Sequence, residues 1–174
     1  MDLRSICSTH TTPPAGLIFA AEDFALDLSL RRTPSLSEFA YARQAVVTAA
    51  KAFGVESAID LVCTGYRDPK VLEEECKGGV GWGFNGKQCI HPDQVGTVQE
   101  VFGPMEKEVR WAVRVEVAGV KAEKEGKGSW GLDGKMVDRP VVERARMVLE
   151  RAVEAGWGER VGVMRGEEEG VRPE

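Results

Sequence analysis

The sequence predicts an α/β fold built on a parallel sheet, and three observations carry that reading. Gly16-Leu-Ile-Phe-Ala-Ala21 is an unbroken apolar run bounded by turn-formers, the pattern of a strand buried on both faces beneath helices. Further strands at residues 57–63 and 80–90 follow it. Two helical segments separate the three strands, the alternation that parallel sheets require.

The first strand runs straight into Glu22 and Asp23. Active sites of parallel α/β proteins are built at this carboxyl edge. Adjacent strand residues point to opposite faces, so only one of the two acids meets a given ligand. Hard oxygen donors of this kind suit Mg²⁺ or Mn²⁺. As bare residues the pair equally fits the opening of a loop or the cap of a following helix.

The first helix begins with a capping-box pattern, Ser35-Leu-Ser-Glu38. It continues with Phe39, Ala42, Val46, Ala49, Ala50 and Phe53 on one face and stops at Gly54. After the second strand, Asp68-Pro69 is a favoured cap and first-turn pair, and Gly78-Gly79 ends that helix. The third strand is Gly-punctuated, Gly81-Trp-Gly-Phe-Asn-Gly86, and ends in Ile90-His91-Pro92. Its glycines permit close backbone approach, and Lys87 and His91 supply a cation and an imidazole beside an anion. The same residues also fit a tight corner with a satisfied structural histidine.

Residues 104–123 read as a long charged helix, with Val109, Ala112, Val113, Val117 and Val120 at helical spacing. Gly126-Lys-Gly-Ser-Trp-Gly-Leu-Asp-Gly134 is a flexible connection and the natural lid. Residues 140–155 form another helix on Val142, Ala145, Val148, Leu149 and Ala152. Beyond Gly156 the chain is rich in Gly, Arg and Glu, has little to bury, and reads as a disordered tail.

Net charge is −5 with Lys and Arg scattered along helices, so no basic patch points to nucleic acid. No apolar run is long enough to span a membrane, and the N-terminus has no signal-peptide layout. Cys7, Cys63, Cys76 and Cys89 have neither CxxC nor zinc spacing, which reads as reduced thiols of an intracellular protein.

Six stretches together resemble the citrate lyase β-subunit-like proteins, of the HpcH/HpaI aldolase and citrate lyase superfamily. They are Gly16 to Phe24, Tyr41-Ala-Arg-Gln44, Lys51-Ala-Phe-Gly54, Ala58-Ile-Asp-Leu-Val62, Gly86-Lys-Gln-Cys-Ile-His-Pro-Asp-Gln94 and Met136-Val-Asp-Arg-Pro140. Order and spacing run without a large gap from about residue 2 to residue 156, nearest to the citramalyl-CoA lyase-type members.

The resemblance implies a TIM barrel that binds one divalent metal, Mg²⁺ or Mn²⁺, and breaks or makes a carbon–carbon bond next to a coenzyme A thioester. By the same resemblance Asp23 ligates the metal, Ile90 and His91 line the acyl-CoA site, and Asp138 is the catalytic acid or base of the lid. Asp138 as a bare residue also reads as a surface turn acid before Pro140. A lid acid that reaches a neighbouring subunit implies a homo-oligomer, a trimer by resemblance. Glu22 receives no role.

A complete (β/α)₈ barrel takes roughly 200 to 250 residues, whereas this chain has 174. Three strands cannot close a barrel, which leaves two sheet edges and an apolar face open. The expected architecture is therefore a partial (β/α)₈ TIM barrel, its last three βα units, plus a C-terminal helical lid. Residues 1–103 form the barrel part, 104–157 the C-terminal helices and lid, and 158–174 the tail. By resemblance, a second metal ligand and a substrate-holding arginine belong to the earlier strands, so activity is expected to be impaired. With an early part expected to be absent, the sequence does not choose between mitochondrial and cytoplasmic locations. The expected reaction is cleavage of a short hydroxyacyl-CoA such as citramalyl-CoA. The alternatives are a non-catalytic remnant that only associates with family members, and a malate-synthase-like condensation of acetyl-CoA with glyoxylate.

Overall fold

Leu17 and Ile18 are the centre of the first strand, β1 (Gly16–Ile18), and they point to opposite sides of a three-stranded parallel sheet. The computed structural model describes residues 2–8, 12 and 14–174. It divides into one unit reaching to Phe102 and a second unit, Gly103–Glu174.

In the first unit, α1 (Leu3–Ser8) precedes β1 and α2 (Ala21–Asp27) follows it. A 3₁₀ turn (Ser37–Phe39) leads into α3 (Ala40–Ala52), then β2 (Ser57–Asp60), α4 (Pro69–Trp82), β3 (Gly86–Lys87) and α5 (Gln94–Phe102). The strand order is β1-β2-β3, with Ile18 beside Ile59 and Asp60 beside Lys87. Leu17, Ala58, Asp60 and Lys87 share the covered face and are all buried. Ile18, on the other face, is 61 % exposed. The expectation of burial on both faces is therefore corrected, because burial on both sides needs a packed layer on each.

The strands are also shorter than expected. Ala21 already belongs to α2, which places Glu22 and Asp23 in the first turn of a helix rather than on a strand tip. Pairing in the second strand ends at Asp60. Residues 80–82 remain helical, and only Gly86 and Lys87 pair as β3. Gly78 and Gly79 do not stop α4; Gly83 does, at φ 97°. Gly79 is instead a point of close approach, since a Cβ there would lie 2.7 Å from Asp60 Oδ2.

That carboxylate is fully buried and is matched by the buried Arg43 of α3. Arg43 Nε donates to Asp60 Oδ1 at 3.0 Å and Nη2 to Oδ2 at 2.6 Å. The guanidinium also stands over Trp82 and Phe84, with centroids 5.2 and 5.7 Å away. Ala42, Val46, Ala49 and Ala50 are buried on α3 as its periodicity predicts. The expected capping box does not form. Glu38 reaches back to Thr33, accepting from its amide at 2.6 Å and its hydroxyl at 2.7 Å.

In the second unit, α6 (Glu106–Lys124) packs against α7 (Arg139–Ala152) around Val109, Val113, Ala118, Ala145 and Leu149. Val120 is exposed, so the expected stripe is right in its first half and rotates off the seam in its second. The connection expected to be flexible is an antiparallel hairpin, β4 (Trp130–Leu132) and β5 (Lys135–Val137). Asp133 (φ 51°) and Gly134 (φ 69°) take positive φ at its turn, the geometry that two-residue hairpins need.

The segment expected to be a disordered tail contains α8 (Gly158–Glu167), entered through a kink at Gly156. Val161 and Met164, one turn apart, are buried in the same core. Arg110 and Arg114 of α6 pair with Glu168, and Arg165 grips Glu116 through two hydrogen bonds. Glu174 lies beside β4, its amide donating to the Gly131 carbonyl at 2.9 Å. Among the described residues, no helix is long and apolar enough to cross a membrane.

Candidate functional site

The carboxyl edge of the parallel sheet gathers three loops, one after each strand. The α2 turn that follows β1 presents Asp23 to solvent, with no hydrogen bond or ion pair among the described residues. Its neighbour Glu22 is engaged by Arg32, whose Nη1 lies 2.6 Å from Glu22 Oε1. Arg32 Nη2 donates to the Val62 carbonyl at 3.0 Å and to Glu75 Oε1 at 2.9 Å. Burial alone would lower the Arg32 pKa, but the hydrogen bonds and charges of Glu75 and Glu22 outweigh it and hold it above the usual value.

The other oxygen of Glu75 lies 3.0 Å from Lys87 Nζ, whose side chain is fully buried. The contact is an ion pair by distance but is not aligned as a hydrogen bond, so both atoms lack hydrogen-bond partners. Cys63 and Cys76 lie in the same environment. Burial, reinforced by the charge of Glu75, pushes the Cys63 thiol up, and burial pushes Cys76 from 9.0 to about 11. These thiols stay protonated at neutral pH, which makes them poor nucleophiles. All four cysteines are free.

After β3, Ile90 is 52 % exposed. Its amide donates to Gln94 Oε1 at 2.8 Å, while the buried Gln94 donates through Nε2 to the Cys63 carbonyl at 3.0 Å. One glutamine thus ties the loop after β3 to the chain leaving β2. The His91 ring packs on Tyr66, with centroids 5.2 Å apart. His91 Nδ1 accepts the Asp93 amide at 3.3 Å and lies 3.4 Å from the Asp93 carboxylate, which it engages as an ion pair only when protonated.

Asp23, Ile90 and His91 therefore share one edge. With β2 between their strands, the two loops stand roughly 10 Å apart, two strand spacings. Asp138 belongs to the second unit, where its carboxylate caps α7 by accepting the Val141 amide at 3.3 Å. Its local place is that of a partly buried helix cap.

The residues that sequence reasoning left without a role are Arg32, Glu75 and Gln94. Arg32 stands ten positions beyond Glu22, and Glu75 sits among charged neighbours on a helix, so neither shows a local pattern. Among the described residues, no group of three or more His, Cys, Asp and Glu side chains could hold a metal ion. Asp23 offers one free hard donor and Glu22 is occupied by Arg32. The donor set falls short of a metal centre.

Residues 1–92 match the model of the HpcH/HpaI aldolase/citrate lyase family. The chain belongs to this family. It is 34 % identical over 159 residues to the mitochondrial citramalyl-CoA lyase of Homo sapiens, covering 87 % of this chain and 46 % of that protein. It is 40 % identical over 131 residues to the citrate lyase subunit beta-like protein of Deinococcus radiodurans, covering 75 % of this chain and 46 % of the other. The chain thus spans about half the length of the curated relatives it matches.

Among solved structures, it resembles the protein CitE of Mycobacterium tuberculosis, crystallised with magnesium, acetoacetate and coenzyme A. The TM-score is 0.66 and the identity 31 %, over 81 % of this chain and 53 % of that one. A citrate lyase of Burkholderia xenovorans shares the fold at TM-score 0.72 and 23 % identity, over 89 % of this chain and 51 % of the other.

Proposed function

We propose that the chain carries the carboxyl-edge part of a carbon–carbon lyase site for short hydroxyacyl-CoA substrates of the citramalyl-CoA type. The observation that carries this reading is the pairing of an exposed, unpartnered Asp23 with the exposed Ile90 loop on one sheet edge of a member of this family. In this reading the sheet is the last three βα units of a (β/α)₈ barrel, Ile90 and His91 line the acyl-CoA path, and Asp23 is a single ligand to Mg²⁺. The magnesium, acetoacetate and coenzyme A held by the M. tuberculosis relative support that ligand class.

A base takes the proton of the tertiary hydroxyl, and its oxygen becomes the ketone of pyruvate. The carbon–carbon bond breaks, and its electron pair becomes the enolate of acetyl-CoA, which then takes a proton at carbon. Asp138 is the chain's candidate for proton transfer with acetyl-CoA, after leaving its capping bond. With about half of its relatives' length and one free metal donor, the chain is proposed to turn over weakly, within a homotrimer.

A second reading rests on Ile18, whose exposed face and the edges of β1 and β3 are open to another polypeptide. In it the chain associates with a family member without turnover.

Binding of acetyl-CoA by the 174-residue chain, followed calorimetrically, tests the proposed site. The reading expects saturable binding that weakens at least about tenfold in Ile90→Asp. Equal binding by both chains, or none by either, would remove Ile90 from the site.

A further inference from the structure

The helix that carries Asp23 is held by a small apolar face. Across its seven residues, α2 buries Ala21 and Ala25 and sets the half-buried Phe24 edge-on against Phe19, with centroids 5.5 Å apart, while Leu26 is exposed. Glu22 and Asp23 are exposed outside that face, so polar contacts of the first turn add to the packing in setting the rotation of the helix. A second feature returns the chain over it. Ser29 (φ 54°) and Leu36 (φ 53°) are non-glycine residues in the left-handed region, bounding the loop that brings Arg32 back to the carboxyl edge.

There Arg32 links the segments that leave β1 and β2 to α4. It reaches the turn after β1 through Glu22, the chain leaving β2 through the Val62 carbonyl, and α4 through Glu75, whose second oxygen faces Lys87 of β3. Its side chain is 17 % exposed and that of Glu75 is 11 %, so the Arg32–Glu75 contact is screened far less than a surface pair, whereas the Glu22 end of the clamp is half-exposed. The planar fork of a guanidinium addresses several acceptors at fixed angles, which a lysine ammonium does not.

We infer that Arg32 is a positioning residue: by tying Glu22 to the Val62 carbonyl and Glu75, it fixes the rotation of α2 and so aims Asp23 into the site. The aiming of Asp23 rests on the function proposed above, whereas the clamp on α2 stands on the geometry alone. Glu22, which received no role from the sequence, is the handle by which the helix is held.

Hydrogen exchange of the 174-residue chain, read by mass spectrometry, tests the clamp in Arg32→Gln, Glu22→Gln, Arg32→Lys and the double variant Arg32→Gln/Glu22→Gln. Amides from Phe24 to Leu28 are expected to exchange at least about tenfold faster in each single Gln variant, with β2 and α3 within about twofold of wild type. The double variant is expected to match either single one, because both remove one connection. Arg32→Lys is expected not to restore protection.

Unchanged exchange over α2 in Glu22→Gln, or additive loosening in the double variant, would overturn the clamp. Should Arg32→Gln fail to fold, Glu22→Gln decides alone, since it alters only the half-exposed partner. In citramalyl-CoA turnover, Glu22→Gln is expected to lower kcat about fivefold or more at unaltered KM. A loosened α2 with unchanged kcat would overturn the aiming of Asp23. A wild-type chain without turnover counts against the proposed reaction and the aiming that rests on it, and leaves the clamp to the exchange result.

Discussion

Substituting Gly78 and Gly79, neighbours on α4, with alanine should change stability in opposite directions. A Cβ at Gly79 would lie 2.7 Å from Asp60 Oδ2, closer than real Cβ atoms come, and 3.2 Å from Phe102 Cζ, a tight contact. Asp60 cannot retreat freely, because both its oxygens are held by Arg43 and the pair is buried. Disrupting a buried ion pair costs about 3–5 kcal/mol. Alanine in place of glycine returns about 1 kcal/mol of helix propensity. The net expectation for Gly79→Ala is a loss of roughly 2–4 kcal/mol. At Gly78 nothing lies within 4 Å of the added methyl. Gly78→Ala should therefore gain up to about 1 kcal/mol. Urea denaturation followed by circular dichroism reads both, with the Gly79→Ala midpoint lower by roughly 1–2 M. A Gly79→Ala chain as stable as wild type would refute the close approach of α4 to the Asp60–Arg43 pair.

Two further outcomes follow from the same contacts. Asp138→Asn keeps the cap on α7 and should unfold within about 0.5 kcal/mol of wild type, whereas Asp138→Ala should lose about 1 kcal/mol. If Asp138 transfers a proton, both should lower turnover of citramalyl-CoA at least about 100-fold, and a fully active Asn variant would leave it a cap alone. Because burial raises the Cys76 thiol from 9.0 to about 11, the unfolded chain loses its proton first as pH rises. Its contribution to stability is complete below pH 9 and disappears between 9 and about 11, a loss on the order of 2 kcal/mol. Cys76→Ala should flatten that part of the stability profile, and an unaltered slope would contradict the burial argument.

The parts of the fold legible in the sequence were those written in strong local patterns. The α3 face of Ala42, Val46, Ala49 and Ala50 repeats at helical spacing and is buried where it was expected. Three strands exist near the expected positions, yet their lengths were misread, because an apolar residue looks the same whether it pairs in a sheet or opens a helix, as Ala21 does. Gly78 and Gly79 looked like a stop, but glycine there serves an approach between elements distant in sequence. α8 escaped notice because its buried stripe consists only of Val161 and Met164 amid charges whose partners lie on α6.

The site divides in the same way. Asp23, Ile90 and His91 stand in recognisable motifs, whereas the contacts Arg32–Glu22, Arg32–Glu75 and Gln94–Cys63 span 10, 43 and 31 positions of sequence. No local pattern encodes those contacts. Asp23, the one metal ligand expected from this chain, is free among the described residues, whereas Glu22, which had no expected role, is engaged by an arginine.

The most direct measurement is release of pyruvate and acetyl-CoA from citramalyl-CoA by the 174-residue chain with Mg²⁺, beside Asp23→Ala of confirmed fold. Asp23 is exposed and unpartnered among the described residues, so its truncation should leave stability within about 0.5 kcal/mol. Slow turnover is expected from the wild-type chain, with a drop of at least about 100-fold in the variant. Equal turnover by both would take Asp23 out of the site, and no turnover by either would contradict a lyase site in this chain.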